Sequence, residues 1–207
     1  VTDDQGYGDA SYNWEGTDLK TPSMDRMAEE GLQFTAFRVN PLCALTRASI
    51  MTGLDSIYSG MWRGPSQPKV ELRMRQNPTR ERPRDVLPQF RFVSEYLREA
   101  GYRTGIFGKW HLGYFSPNLP LERGFEEFVG FLGGAHPYRA GNAGRILRQT
   151  EPVETDAHLT DFFADEAIDF IRRNSKQPFF CYLPFQAVHG PLRSEKRAAD
   201  SARPDWL

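Results

Sequence analysis

Pro41-Leu42-Cys43-Ala44-Leu45-Thr46-Arg47-Ala48-Ser49-Ile50-Met51-Thr52-Gly53 is the stretch from which the rest of the chain can be read. Ala48, Ser49, Ile50 and Met51 suit a short helix, and Gly53 is a natural stop. If the helix begins at Cys43, a spacing of four puts Arg47 one turn above it. The first backbone N–H groups of a helix lack internal partners and carry partial positive charge. A side chain placed there faces donors for an anion. The stretch therefore reads as a nucleophile, an anion cradle and a fixed cation. The other reading of Cys43 is a buried, inert thiol.

Upstream, Val1-Thr2 reads as the last residues of a strand whose start is missing, running into Asp3-Asp4-Gln5-Gly6-Tyr7-Gly8-Asp9. Adjacent carboxylates with glycines behind them suit a loop around a hard cation, Ca²⁺ or Mg²⁺ rather than zinc, or else a solvated acidic turn. Thr21-Pro22 starts a helix, with Met24, Met27 and Ala28 on its apolar face and Gly31 at its end. Leu32 to Val39 reads as a strand. Loop, helix, strand and nucleophile loop in close succession set an α/β rhythm.

Downstream, Trp62 to Pro88 is rich in proline and arginine. It reads as a basic rim loop that attracts an anionic substrate, or as a solvated insertion. Phe90 to Ala100 is a helix with Phe90, Val93, Tyr96, Leu97 and Ala100 inward, and Tyr102 to Phe107 is a short buried strand. That strand runs into Gly108-Lys109-Trp110-His111-Leu112-Gly113. Ligands collect at strand ends of open α/β sheets. There, Lys109 can hold charge and His111 can move a proton near neutral pH. Gly133 to Arg148 gives no secondary-structure assignment, and His136 and His158 read as structural or exposed. Thr160 to Arg173 is the clearest helix, with acids at its start and Arg172-Arg173 at its end. Pro178 to Pro184 is a continuous apolar strand, placed centrally, with Cys181 as a core thiol. It exits to His189, held by Gly190-Pro191. The tail from Arg193 is polar.

Composition bounds the rest. The 207 residues are one domain's length, 39% hydrophobic and 26% charged, with a formal net charge of −1. There is no basic excess of the kind nucleic-acid binding requires, so no nucleic-acid partner is expected. No apolar run is long enough to span a bilayer. No stretch of these residues reads as a signal peptide. Two cysteines, Cys43 and Cys181, are too few for a disulfide framework.

Five blocks, in order, resemble the type I sulfatases, the formylglycine-dependent sulfuric ester hydrolases. Asp3-Asp4-Gln5-Gly6-Tyr7-Gly8-Asp9 is similar to the family's opening strand end. Cys43, Arg47, Thr52 and Gly53 match its Cys-x-Pro-Ser-Arg…Thr-Gly signature, with Leu45 in place of proline and Thr46 in place of serine. Gly108-Lys109-Trp110-His111-Leu112-Gly113 resembles a further family motif, and Arg123-Gly124-Phe125 another. His189-Gly190-Pro191 is similar to the family's His-x-Pro element. Pro41-Leu42-Cys43, the Arg-Gly-Phe run and Gln186-Ala187-Val188-His189 resemble most closely the arylsulfatase B (N-acetylgalactosamine-4-sulfatase) branch.

The resemblance implies a doubly wound α/β sheet of the alkaline phosphatase/sulfatase type, incomplete at both ends, with residues 1–207 as the N-terminal part of one catalytic domain. It implies formylglycine made from Cys43 by a formylglycine-generating enzyme. It also implies a divalent cation, Ca²⁺ by expectation, on Asp3, Asp4 and the modified Cys43. Arg47, Lys109, His111 and His189 take the remaining catalytic places: Arg47 orients the modified residue, Lys109 and His111 meet the sulfate and the formylglycine hydroxyls, and His189 sits by the leaving oxygen. Expected substrates are sulfated carbohydrates or aryl sulfates, in a secreted, periplasmic or lysosomal setting. The family's later Asp-Asn metal pair and second lysine have no match here, so the fragment alone is expected to be inactive and marginally folded. Two rival readings are an inactive sulfatase-like binding protein and a phosphoryl-transfer relative in the alkaline phosphatase superfamily.

Overall fold

The fold is taken from a computed structural model, which describes residues 1–14, 16–65, 85–139 and 146–190. Most of the basic 62–88 stretch and the whole polar tail lie outside the described residues. Among those described, four α-helices and five strands occur in the order α1 (Pro22–Glu30), α2 (Cys43–Thr52), α3 (Val93–Glu99), β1 (Arg103–Lys109), β2 (Glu127–Phe131), β3 (Ile146–Arg148), β4 (Glu151–Val153), α4 (Leu159–Asn174) and β5 (Phe179–Tyr182). The strands form one sheet in the order β4-β3-β2-β1-β5. Strand β1 is parallel to both β2 and β5, whereas β3 and β4 form an antiparallel hairpin on the β2 edge.

Alternation along the parallel strands divides the core into two layers, because successive side chains point to opposite faces. Ile106, Phe128 and Tyr182 pack on one face with Ala44, Ala48 and Met51 of α2 and with Phe92 at the entry to α3. Phe107, Val129 and Phe131 pack on the other with Phe163, Ala167 and Phe170 of α4. A sheet covered by helices on both faces is the doubly wound arrangement expected. It explains why β1 is buried from Thr104 onward. Lys109, predicted to follow the strand, is its last residue.

Helix α4 forms as its periodicity predicts, but of the apolar stripe that its sequence offers, Phe163, Ala164, Ala167, Ile168, Phe170 and Ile171, only Phe163, Ala167 and Phe170 are buried, and Ile168 and Ile171 are exposed. His158, which had no assigned role, caps this helix by accepting a hydrogen bond from the Thr160 N–H at 3.3 Å. In α3 the inward face differs from the prediction. Tyr96 lies exposed under the Arg91 guanidinium, 4.3 Å from its ring centre, while Phe92 and Ser94 turn inward. Helix α1 starts at Pro22 as read, yet none of its residues is buried.

Two strand readings need correction. Leu32 to Val39 forms no strand, and Leu32, Phe34, Phe37 and Val39 are exposed. A strand is stabilised by ladder partners and a covered face, and among the described residues this stretch has neither. Strand β5 is the outermost of the five rather than central. Its outer side is lined by the first residues of the chain: the Val1 amino group donates to Leu183 O (3.0 Å), and the N–H of Phe185 to Val1 O (2.9 Å). The same contacts carry Asp3 and Asp4 to the C-terminal end of the sheet.

Candidate active site

Backbone geometry brings the sequence motifs to one edge. Cys43 is the first residue of α2, preceded by Leu42 in extended conformation. Gly53 closes the helix in the left-handed region (φ 70°), its N–H donating to Ser49 O at 2.9 Å. Arg47 therefore sits one turn above Cys43, as the spacing requires. At the end of β1, Gly108 has φ 133°, and a Cβ there would lie 2.3 Å from Pro184 O. Only glycine lets the chain bend so close to the next segment. The Lys109 N–H then bonds that same carbonyl (2.9 Å). Beyond the bend Trp110 is buried in the core, its Nε1–H donating to Asn118 O (2.9 Å). Lys109 and His111, on either side of it, are left to the site.

Asp3, Arg47 and Lys109 form one buried cluster. Lys109 Nζ donates to Asp3 Oδ2 at 2.5 Å, and Arg47 donates to the same oxygen at 3.3 Å. A second Arg47 nitrogen donates to Lys109 O at 2.7 Å. Two cations share one carboxylate, so the cluster carries excess positive charge in a place shielded from water, where charge acts at longer range.

Cys43 and His111 form the second group, with Sγ and Nδ1 3.2 Å apart. His111 adopts φ 59°, unusual for a side chain with a Cβ. Burial, then the charges of Lys109 and Arg47, lowers its pKa to about 3, with Asp3 opposing and His189 adding to the fall. The ring is therefore neutral throughout the physiological range rather than titrating near pH 7. Lys109, Arg47, Asp3 and His189 thus all lie near enough to one imidazole to act on its charge. The third group is Asp4, exposed and also left-handed (φ 57°), with its Oδ2 3.7 Å from His189 Nε2. His189 Nδ1 lies 2.7 Å from Gly190 O, which makes Nδ1 the protonated nitrogen and leaves Nε2 toward Asp4.

All seven residues singled out from the sequence thus lie in three linked groups at one edge. Residues given no site role from the sequence join them. The Tyr138 hydroxyl donates to His189 O (2.9 Å), and Gln186 and His136 bond reciprocally through the Gln186 amide. Cys181 is half-buried, its thiol pushed up to about 11 by burial, and packs beside the α4 layer away from this constellation.

Comparison with known proteins finds relatives over nearly the whole chain. The sulfatase family model matches residues 1–205. N-acetylgalactosamine-6-sulfatase of Canis lupus familiaris is 34% identical over 95% of this chain and 40% of its own length. Arylsulfatase J of Mus musculus is 30% identical over 95% of this chain and 33% of its own. Among solved structures, Ps i-CgsB superposes with a TM-score of 0.83 at 29% identity, covering 97% of this chain and 47% of that one. The same protein is also known in complex with k-i-k-neocarrahexaose. BT4656, solved with its substrate D-glucosamine-2-N,6-O-disulfate, gives 0.68 at 26% identity over 91% of this chain and 33% of that one. This chain spans less than half the length of each of these relatives. Their names carry different substrates, so they do not single out the arylsulfatase B branch. A family match over nearly every residue, on a sheet edge that gathers the Cys43, Lys109 and His111 motifs, shows that this chain belongs to the sulfatase family.

Proposed function

We propose that the protein carrying this chain hydrolyses sulfate esters, on a sulfated sugar, with formylglycine formed from Cys43 as its nucleophile. The observation that carries this reading is Cys43 at the first turn of α2, 3.2 Å from a neutral His111 and beside the buried Asp3–Arg47–Lys109 cluster. The singly charged sulfate ester group, and the dianionic sulfate it yields, are drawn to such a place by the helix N-terminus and by the surplus cation. Relatives solved with neocarrahexaose and with a glucosamine disulfate favour a carbohydrate substrate.

A divalent cation belongs to this reading. Asp3 and Asp4 offer hard oxygen donors side by side, and Asp3 Oδ1 accepts no hydrogen bond among the described residues. No group of three His, Cys, Asp or Glu side chains suited to a metal occurs among those residues. The two aspartates thus fit a cation as part of a larger donor set, to which the modified residue 43 adds an oxygen. When bound, such a cation supplies Lewis-acid polarisation of a sulfate oxygen.

The chain's own residues divide the other tasks. Residue 43, as the hydrated aldehyde, forms an O–S bond through one hydroxyl, whose proton passes to solvent, as the bond from sulfur to the sugar oxygen breaks. Lys109 offsets charge on the sulfate oxygens and Arg47 holds the helix turn beneath the nucleophile. His189 stands by the departing oxygen through Nε2 and, when that nitrogen also carries a proton, gives it to the leaving alcohol and returns to the neutral ring held by Gly190 O. His111, neutral, accepts the proton of the second hydroxyl, sulfate is expelled and the aldehyde returns. The formylglycine-generating enzyme is the implied partner, and a setting outside the cytosol follows the family. No helix among the described residues is long and apolar enough to cross a membrane.

The test uses the full-length protein coexpressed with a formylglycine-generating enzyme. Mass spectrometry of the Cys43 peptide is expected to show loss of sulfur in favour of the aldehyde, with turnover of an aryl sulfate exceeding that of an aryl phosphate. Cys43→Ala is expected to abolish turnover. An intact thiol with no turnover would identify an inactive binding protein, and a preference for phosphate would identify a phosphoryl-transfer enzyme.

A further inference from the structure

The segment leaving β2 touches both site histidines. Leu132 O accepts the His111 N–H at 3.2 Å. At Gly134 a Cβ would lie 2.7 Å from both Cε1 and Nε2 of the His111 ring, closer than real side chains come. His136 exchanges two hydrogen bonds with the Gln186 amide, its N–H donating to Oε1 (2.9 Å) and its O accepting from Nε2 (2.6 Å). Gln186 O in turn accepts the His189 N–H (2.8 Å), and the Tyr138 hydroxyl donates to His189 O (2.9 Å). Every second residue from 132 to 138 therefore contacts the support of one imidazole or the other.

We propose that Leu132, Gly134, His136 and Tyr138 form a positioning element that fixes the two imidazoles relative to residue 43, with Gly134 setting His111 by clearance and Tyr138 setting His189 by its hydroxyl. Neither residue reaches a reacting atom. Gly134 matters because the loop must lie flat against the ring that faces Cys43; any side chain drives the ring off or the loop away. Tyr138 matters because His189 sits on a short loop whose carbonyl it holds. The proposal rests on the sulfatase reading for its kinetic consequences but not for its geometry.

The full-length, formylglycine-bearing protein is the material for the test, with Gly134→Ala, Tyr138→Phe and Gly133→Ala compared. Gly133 is the control, since a Cβ there meets the Tyr114 hydroxyl at 3.4 Å and Ala135 O at 3.7 Å, both ordinary contacts. Gly134→Ala is expected to lower kcat by on the order of 10²-fold, as misplacing a reacting group by about 1 Å does, while KM changes little. Its crystal structure is expected to show the His111 ring withdrawn from residue 43. Tyr138→Phe is expected to lower kcat roughly three- to tenfold, the worth of one hydrogen bond, with His111 unmoved. Gly133→Ala is expected to match wild type in kcat and thermal midpoint. A Gly134→Ala crystal structure with His111 in place overturns the proposal, as does a loss shared equally by Gly133→Ala. If the wild-type protein turns over no sulfate ester, the functional reading falls and the crystal structures alone decide this one.

Discussion

Lys109 and Arg47 meet on a single oxygen of Asp3, and the effect is felt two residues beyond Lys109, at His111. Its ring is surrounded by positive charge and removed from water, so the protonated form is disfavoured on both counts. The sign of the consequence follows from proton linkage. Folded, His111 has a pKa of about 3; unfolded, it returns to its ordinary value of 6.5. Between these limits the unfolded chain binds more protons, so stability is fully present above pH 6.5 and is lost as pH falls toward 3. The slope from one such group is at most about 1.4 kcal/mol per pH unit. Urea unfolding at a series of pH values is expected to show this loss, and His111→Gln is expected to flatten it. An unchanged slope in the variant would place the acid sensitivity elsewhere. The sequence made His111 visible through its glycine-bracketed motif, but not its protonation state, because that depends on Arg47 and Asp3, residues 64 and 108 positions away in the chain. Tyr138 and Gly134 carried no local signal at all: their roles exist only through contacts with His189 and His111.

At the scale of elements, α2 is the part that sequence describes best, since its start, its arginine and its stop are all local features. Gly53 makes the case quantitatively. It holds φ 70° with nothing within 4 Å of a would-be Cβ, so a substitution there meets no steric neighbour and tests the backbone alone. Gly53→Ala is expected to cost about 1–2 kcal/mol, the price of a left-handed residue with a Cβ, and Gly53→Asn less. Thermal denaturation measures both, and an alanine variant as stable as wild type would refute the capping account. Helix α4 was equally legible from its 3.6-residue period and end charges. The β3–β4 hairpin was not, for Ile146–Arg148 and Glu151–Val153 are three residues each and too short for alternation to register. The stretch 32–39 failed in the opposite way. Its composition is that of a strand, but ladder formation is a tertiary event and no described strand pairs with it.

The whole molecule shows what that unpaired stretch implies. The two-layered core is complete around β1, with α2 and α3 on one face and α4 on the other, whereas the chain before α2 buries little. Phe34 and Phe37 are 71% and 73% exposed, with ring centres 6.0 Å apart, and Leu32, at 79%, and Val39, at 62%, flank them. Isolated exposed apolar residues are ordinary, but a run of them is a sticky surface. A run with strand composition, no proline among its apolar residues and no ladder partner adds the hazard of edge-to-edge pairing. The 207-residue chain, expressed alone, is therefore expected to self-associate with rising concentration in sedimentation velocity. Phe34→Ser/Phe37→Ser is expected to shift it toward monomer without lowering its thermal midpoint, because these rings bury almost nothing that unfolding would expose. A double variant that associates as strongly as wild type would move the sticky surface elsewhere. One that loses stability would show that the two rings are packed in solution, with 32–39 held against the sheet after all.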